Sequence, residues 1–370
     1  MSANATRLPR HPAQAGAGHG ESPGASWRTT FRPGRQLLRK LLGQGSGDLL
    51  ARARERWVVA PGSTVEVRPA KALPGQLERI RATEFGSMAH VLKHLAGGFD
   101  AEQATTMAYR LEDVVLIDGV LYAGDAVRHL RPRTTRRPWA RVPDEPLRAS
   151  LYESWPGNRW FGNWLIDDCL AYPLAAAVAP PFASCSPTGH QLEYESRLGM
   201  KPRRVDTARF AELVVFDDSA SNADKRARAD TFRRSVVGVE PDRHPGVFLL
   251  RGSSGSSRVV RNERAIAERL AARRGFRVFD PLSAGVTEIV SACAGAEVVA
   301  GIEGSQIVHG LMLMPPGARL LVLQPPTRTV SVLKVVTDRQ GQDFAFVVGT
   351  GGHEEFQVDV DEIERTLDLA

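Results

Sequence analysis

Two arginines, Arg251 and Arg258, bracket the Gly/Ser-rich stretch of LLRGSSGSSRVVRNE (residues 249–263), and Asn262-Glu263 then open a helical pattern. Planar guanidinium groups on either side of a small-residue turn suit bidentate contact with a diphosphate, although the same composition also fits a plain loop. Further along, GIEGSQIVHG (residues 301–310) sets Gly304 and Ser305 at the first turn of a helix, SQIVHGLMLM. With Ser305 as its cap, the free N–H groups there would favour an anion. His309 lies one turn in and reads either as a satisfied structural histidine or as a ligand contact. Met312 and Met314 read as core.

A third stretch, GNRWFGNWLIDDCLAYPLA (residues 157–175), places Asp167 and Asp168 early in an otherwise apolar helix capped by Asn163, with Trp164 beside them. Adjacent carboxylates there either complement the helix dipole or divide into a general base and the group that orients it. HQLEYESRLGMKPRR (residues 190–204) adds His190, Glu193, Tyr194 and Arg197, which would line an acceptor site or remain a charged surface segment.

These residues need elements to hold them. LVVFDD (213–218), GVFLLRG (246–252), FRVFD (276–280), AEVVAG (296–301) and ARLLVLQ (318–324) are short apolar runs of the kind buried on both faces of a sheet. NERAIAERLAARRG between two of them predicts a helix from an Asn262 cap to Gly275. Strands alternating with crossover helices give a parallel, doubly wound sheet. Its functional loops should follow Leu250, Asp280, Ala300 and Leu323, at the carboxyl ends of the strands. Upstream, VVLIDGVLY (114–122) predicts a hairpin turning at Asp118-Gly119. Four regions follow: a flexible basic leader (1–55) with a helical piece near Arg35–Leu42, a β-rich region (56–150), an α/β region (151–240) and a second α/β region (241–370).

The net charge of +6 suggests nucleic acid until it is located. Residues 1–60 carry a net +7, so the remaining chain is near −1 and the basic excess belongs to the leader. RHLRPRTTRRPWAR (128–141) is Pro-broken and reads as a solvated loop. No nucleic-acid partner is therefore expected, and a peripheral membrane contact through the leader is. No apolar run approaches about 18 residues, and the first thirty residues hold no apolar core of a secretory signal. Cys169, Cys185 and Cys293 are scattered without CxxC spacing, which fits reduced thiols in a cytoplasmic protein, one that the leader would place at the inner membrane. Neither GxxxxGK[ST] nor GxGxxG occurs.

Taken in order, the motifs resemble those of bacterial members of glycosyltransferase family 61. The matching segments are Phe161-Gly162-Asn163-Trp164-Leu165-Ile166-Asp167, then Arg251, Arg258 and Asn262-Glu263, then Gly301-Ile302-Glu303-Gly304-Ser305, and finally Met314-Pro315-Pro316-Gly317. The resemblance covers roughly residues 155–325. The family often has His at the positions of Asn163 and Glu303, and a Glu where this chain has Gln324. The resemblance implies a GT-B scaffold of two Rossmann-like domains facing a cleft. It also implies inverting transfer of a sugar from a nucleotide-diphosphate donor to a glycan or lipid-linked acceptor, in surface or extracellular polysaccharide (capsule) assembly. Asp167 or Asp168 would be the base. Arg251, Arg258, Asn262, Glu263, Glu303, Gly304, Ser305 and His309 would hold the donor, and Asn163, Trp164 and His190 would face the acceptor. Asp167-Asp168 and Asp217-Asp218 lack DxD spacing, so no cofactor and no essential metal are expected. The alternative is an inactive member that binds nucleotide or glycan, through the departures at Asn163 and Glu303.

Overall fold

The computed structural model describes residues 26–252 and 258–369. Eight strands form a mixed sheet: β1 (Glu55–Ala60), β2 (Thr106–Ile117), β3 (Val120–Ala123), β4 (Ala126–His129), β5 (Leu147–Leu151), β6 (Pro181–Ala183), β7 (Arg203–Arg204) and β8 (Thr207–Asp217). Their order is β7-β6-β5-β8-β2-β3-β4, with β1 paired to the first half of β2. β5 to β8 pair in parallel, whereas β2 to β4 add an antiparallel meander. The expected hairpin turn is present, with Asp118 and Gly119 at φ 48° and 74°. The expected boundary at residue 150 runs through β5, so the regions on either side of it share this one sheet.

Phe161–Asn163, a π-helical segment Trp164–Asp168 and Cys169–Val178 run on without a break and together form α1. Asn163 does not cap it; it sits inside the first turn, and its side chain makes no capping bond. The cap in this region is Ser154, whose side chain accepts from Gly157 N at the start of the short helix Trp155–Arg159. α2 (Gln191–Arg197) and α3 (Ala223–Val237) complete the helices of this sheet.

The second sheet is the expected parallel one, with β9 (Val247–Leu249), β10 (Arg277–Phe279), β11 (Val298–Ile302), β12 (Arg319–Gln324) and β13 (Asp343–Val348) in the order β10-β9-β11-β12-β13. β13 is the strand the pattern reading missed, although DFAFVV carries the same apolar signal. The associated helices are α4 (Glu263–Arg274), α5 (Val286–Cys293), α6 (Ile307–Leu313), α7 (Val332–Gln340) and α8 (Val360–Leu367). Gly275 ends α4 in the left-handed region as expected. Asn262 makes no cap there; its amide exchanges hydrogen bonds with Val358 (Nδ2 to O, 2.7 Å; N to Oδ1, 3.3 Å).

Every residue of α6 is buried, His309 included, as a helix apolar on nearly every side must be. It lies between the two sheets, packed on α3, α5 and the π segment of α1. Gly310 permits this seat, because a Cβ there would meet Val299 Cγ1 at 2.4 Å and Leu249 Cδ1 at 3.2 Å. Met312 and Met314 are core, as expected. Gly→Ala inside a helix ordinarily stabilises by about 1 kcal/mol, but overpacking a filled core costs about 1–3 kcal/mol. We expect Gly310→Ala to be net destabilising in urea unfolding, whereas a net gain would mean that β11 yields to α6.

Candidate functional site

In an open α/β sheet the crevice for a ligand lies where successive strands depart to opposite sides. In the parallel sheet the chain steps from β9 outward to β10 and then returns to the other side of β9 as β11. Arg251 leaves the end of β9, and Glu303 leaves the end of β11. Between them opens a cleft of about 620 Å³, lined also by Arg258, Arg328, His190 and His309.

Among the described residues, three arginines and one carboxylate line this cleft, and the half-exposed Glu84 approaches Arg328 Nε at 4.0 Å from its edge, which still leaves positive charge in excess. The Glu303 carboxylate forms an ion pair with Arg258 and accepts from Arg328 Nη1 at 2.9 Å. Arg251 Nη1 donates to Gln306 Oε1 at 2.8 Å and approaches the Glu303 carbonyl at 3.4 Å. Burial, and then the neighbouring Arg258, push Arg251 down to about 10. Burial likewise lowers Arg258. Glu303, a carboxylate that would repel a diphosphate if it faced one, faces arginines.

Surrounding residues hold the arginines in place. A Cβ at Gly304 (φ +152°) would meet Arg251 Nη1 at 2.0 Å, so glycine is needed for the guanidinium to lie there. Glu263 accepts from the backbone N–H groups of Arg251 (2.6 Å) and Gly252 (3.0 Å). Glu263 and Asn262 thus anchor chain segments and are not among the cleft's lining residues. Gln324 is fully buried and bridges Val330 in both directions, with Nε2 to O at 2.8 Å and N to Oε1 at 3.0 Å. That bridge closes the loop bearing Arg328. Ser305 lines the cleft but caps nothing; α6 begins at Ile307 and spans seven residues. The Gly/Ser segment 253–257, part of the expected phosphate loop, lies outside the described residues.

The opposite wall comes from the start of α1 and from the turn Thr188–His190 that leads into α2. Gly162 lets α1 close against Ser305 and Val308, where a Cβ would meet Val308 Cγ2 at 3.1 Å. Asn163 and Ile166 line the cleft with Trp160 and Phe161. Trp164 turns instead into the core against Phe161 and Tyr194. The tautomers of the two histidines follow from their partners. His190 Nε2 lies 2.8 Å from the Ala284 carbonyl, which can only accept, so Nε2 carries the proton and Nδ1 of the neutral ring keeps its lone pair. His309 Nδ1 lies 2.9 Å from the Tyr194 hydroxyl, whose partner among the described residues is that nitrogen. Burial holds the phenol in its O–H form, and O–H donation to Nδ1 leaves the proton on Nε2. Burial, with His190 beside it, pushes His309 down to about 3.

Asp167 and Asp168 are not in this cleft. They line a second cavity of about 260 Å³ with Glu153, Ser154, Asp217 and Asp218, on the far side of α1. This cavity lies at the switch point of the mixed sheet, beyond the carboxyl ends of β5 and β8. Asp168 is buried, accepts from Ser154 Oγ (2.7 Å) and N (3.2 Å), and is pushed well above the usual carboxylate range by desolvation. A Cβ at Gly157 would meet Asp168 Oδ2 at 1.9 Å, so Gly157 exists to admit it. Asp167 Oδ1 receives the buried Lys225 Nζ at 2.6 Å. The helix itself separates the two cavities: Asn163 and Ile166 line one and Asp167 and Asp168 the other.

Two site residues were missed by sequence reasoning. Arg328 follows β12, in a loop that the strand-end rule marks, so position alone would have flagged it. Phe85 has a positive φ of 58°, an uncommon conformation for a bulky residue. Its ring lies 5.6 Å from the Arg328 guanidinium and 5.6 Å from Trp160. Nothing local in the sequence points to it, because it reaches the cleft through pairing of residues 81–84 with the 326–329 loop.

The Glycosyltransferase 61 family model matches residues 138–321. The match spans the start of α1, the Arg251/Arg258 loop and the Glu303 turn, and it stops before Arg328. The protein is a glycosyltransferase. No curated protein matches the chain.

The depressed His309 links stability to pH. Its folded value of about 3 lies below the ordinary 6.5, so the unfolded chain binds the extra proton in between, and this contribution is present above 6.5 and lost as pH falls towards 3. Going from 6.5 to about pH 5 should cost roughly 2 kcal/mol from this group. Comparison of urea midpoints for the wild type and His309→Gln isolates it: the variant should lose less stability on acidification, and equal losses would refute the assignment.

Proposed function

We propose that the cleft binds a nucleotide-diphosphate sugar and that the enzyme transfers the sugar with inversion to a hydroxyl of a glycan or lipid-linked acceptor. The observation that carries this reading is the excess of arginine over carboxylate at the switch point of a parallel sheet. An anionic ligand relieves the mutual repulsion of Arg251, Arg258 and Arg328 and draws bidentate hydrogen bonds from them. Two sheets, each with its own switch-point cavity, support a GT-B-like layout, with the mixed sheet on the acceptor side. Surface or extracellular polysaccharide assembly is the setting that fits such a transfer.

In this mechanism the acceptor oxygen attacks the anomeric carbon from the face opposite the diphosphate. The acceptor proton passes to His190 Nδ1, which the Ala284 carbonyl keeps as the lone-pair nitrogen. The anomeric C–O bond breaks, and its electron pair stays on the diphosphate, where the arginines stabilise it. His309 Nε2–H serves as a hydrogen-bond donor to the bound donor substrate. Asp167 and Asp168 act as framework: Asp168 ties α1 to the turn at Ser154, and Asp167 neutralises Lys225. This charge stabilisation needs no metal.

We expect Arg328→Gln to raise the donor KM and lower kcat/KM by about 10²-fold, in line with the loss of one preorganised donor. His190→Gln should lower kcat by about 10²–10⁴-fold with little change in donor KM. Asp168→Asn, checked for folding by circular dichroism, should retain turnover. Wild-type kcat in His190→Gln, or its loss only in the aspartate variants, would return the base to the second cavity. Turnover should persist in EDTA; its abolition there, with recovery on adding a divalent cation, would show that a metal shares the work of the arginines.

A further inference from the structure

The helix Arg32–Leu41 is seated with its polar side on the protein. A surface helix ordinarily turns its apolar stripe to the core. Here Phe31, Leu37, Leu38, Leu41 and Leu42 are all exposed, Leu41 by 75% and Leu42 by 65%. Docking is instead done by arginine. Arg32 Nη1 donates to the carbonyls of Asp113 (2.8 Å) and Tyr122 (2.7 Å), and the side chain pairs with the Asp113 carboxylate. Arg39 lies 3.5 Å from Asp125. At about 3.6 residues per turn, the four leucines and Gly34 fall within an outward arc of roughly 140° that holds no charge.

Cations rim that arc. Arg35 and Lys40 flank its two sides, both exposed. The strand before the helix pairs Thr30 with Ala140, which puts Trp139, 40% exposed, one residue beyond Ala140 as Phe31 is one beyond Thr30. Gly34 N donates to Pro138 O at 2.7 Å, fixing the helix to this segment. The Arg137 guanidinium lies over the Trp139 ring at 5.6 Å, and Arg136 and Arg137 are exposed. The result is one apolar face with an aromatic at its border and a basic rim.

We propose that this face docks the enzyme on an anionic lipid surface, the leucines entering the acyl boundary and Arg35, Lys40, Arg136 and Arg137 meeting headgroup phosphates. Charge argues for this occupant over the others. A second copy placed face to face would oppose the same basic rim to itself. Residues 1–25 include only Met1 and Leu8 as large apolar side chains, too few to cover the arc.

The test is co-sedimentation of the full chain with vesicles of phosphatidylcholine alone or with added phosphatidylglycerol. We expect binding only to the anionic vesicles, weakening as salt rises. Leu37→Asp/Leu41→Asp should reduce it at least about tenfold, and Arg35→Glu/Lys40→Glu should reduce it at low salt, with donor turnover in solution unchanged in both. Failure of the wild type to bind anionic vesicles, or equal binding by the leucine variant, would overturn the proposal. So would a wild-type dimer in solution that the leucine variant turns into a monomer, since the face would then be a contact between copies. Each of these outcomes is independent of whether the cleft binds a nucleotide sugar.

Discussion

The site is organised around a carboxylate held out of water between guanidinium groups. A buried charge is tolerated only when it is paired and hydrogen-bonded, and removing one partner of such a pair costs about 3–5 kcal/mol. Glu303 meets this condition through Arg258 and Arg328, and even with the half-exposed Glu84 at 4.0 Å from Arg328 two carboxylates do not balance three arginines. The protein therefore holds a standing excess of positive charge in a partly dehydrated cleft. Much of the nearby sequence follows from keeping that excess in place. Gly304 clears space for Arg251, Gln306 and Glu263 fix its head and backbone, and Gln324 closes the loop that presents Arg328.

The two sheets bring the remaining groups to this cluster. α6 is buried on all sides because it is the element both halves share, and the glycine at 310 lets it sit low enough on β9 and β11 to set His309 at the cleft. The π segment in α1 then divides the space between the sheets. The cleft face of α1 carries Asn163 and Ile166, and its far face carries the two aspartates. This division separates an arginine-rich cavity from a carboxylate-rich one, each at a switch point, within a few residues of chain.

Four of the five strands of the parallel sheet were readable in the sequence, because strands buried on both faces read as apolar runs between glycine-ended helices; β13 carries the same signal and was missed. Arg251, Arg258, Glu303, Gly304, Ser305 and His309 do converge on one cleft, as strand-end topology implies. The mixed sheet was less readable, since its order depends on pairing of β2 with β8, residues about a hundred positions apart and invisible to local periodicity. The aspartate pair shows a different limit. Helical spacing says which residues share a face, but not which cavity each face meets, and no sequence rule places Ser154 and Gly157 against Asp168. His190 could be marked as a candidate from its type alone, whereas its tautomer required the Ala284 carbonyl. Asn262 and Glu263 carry the expected residue types and do anchoring work in place of ligand contact.

Calorimetric titration with a nucleoside, its monophosphate and its diphosphate tests most directly whether the arginine excess binds a diphosphate. Affinity should rise steeply along that series, by about 10²-fold or more overall, and fall with added salt because the gain is electrostatic. Equal affinity for the three compounds, or binding indifferent to salt, would contradict a diphosphate site.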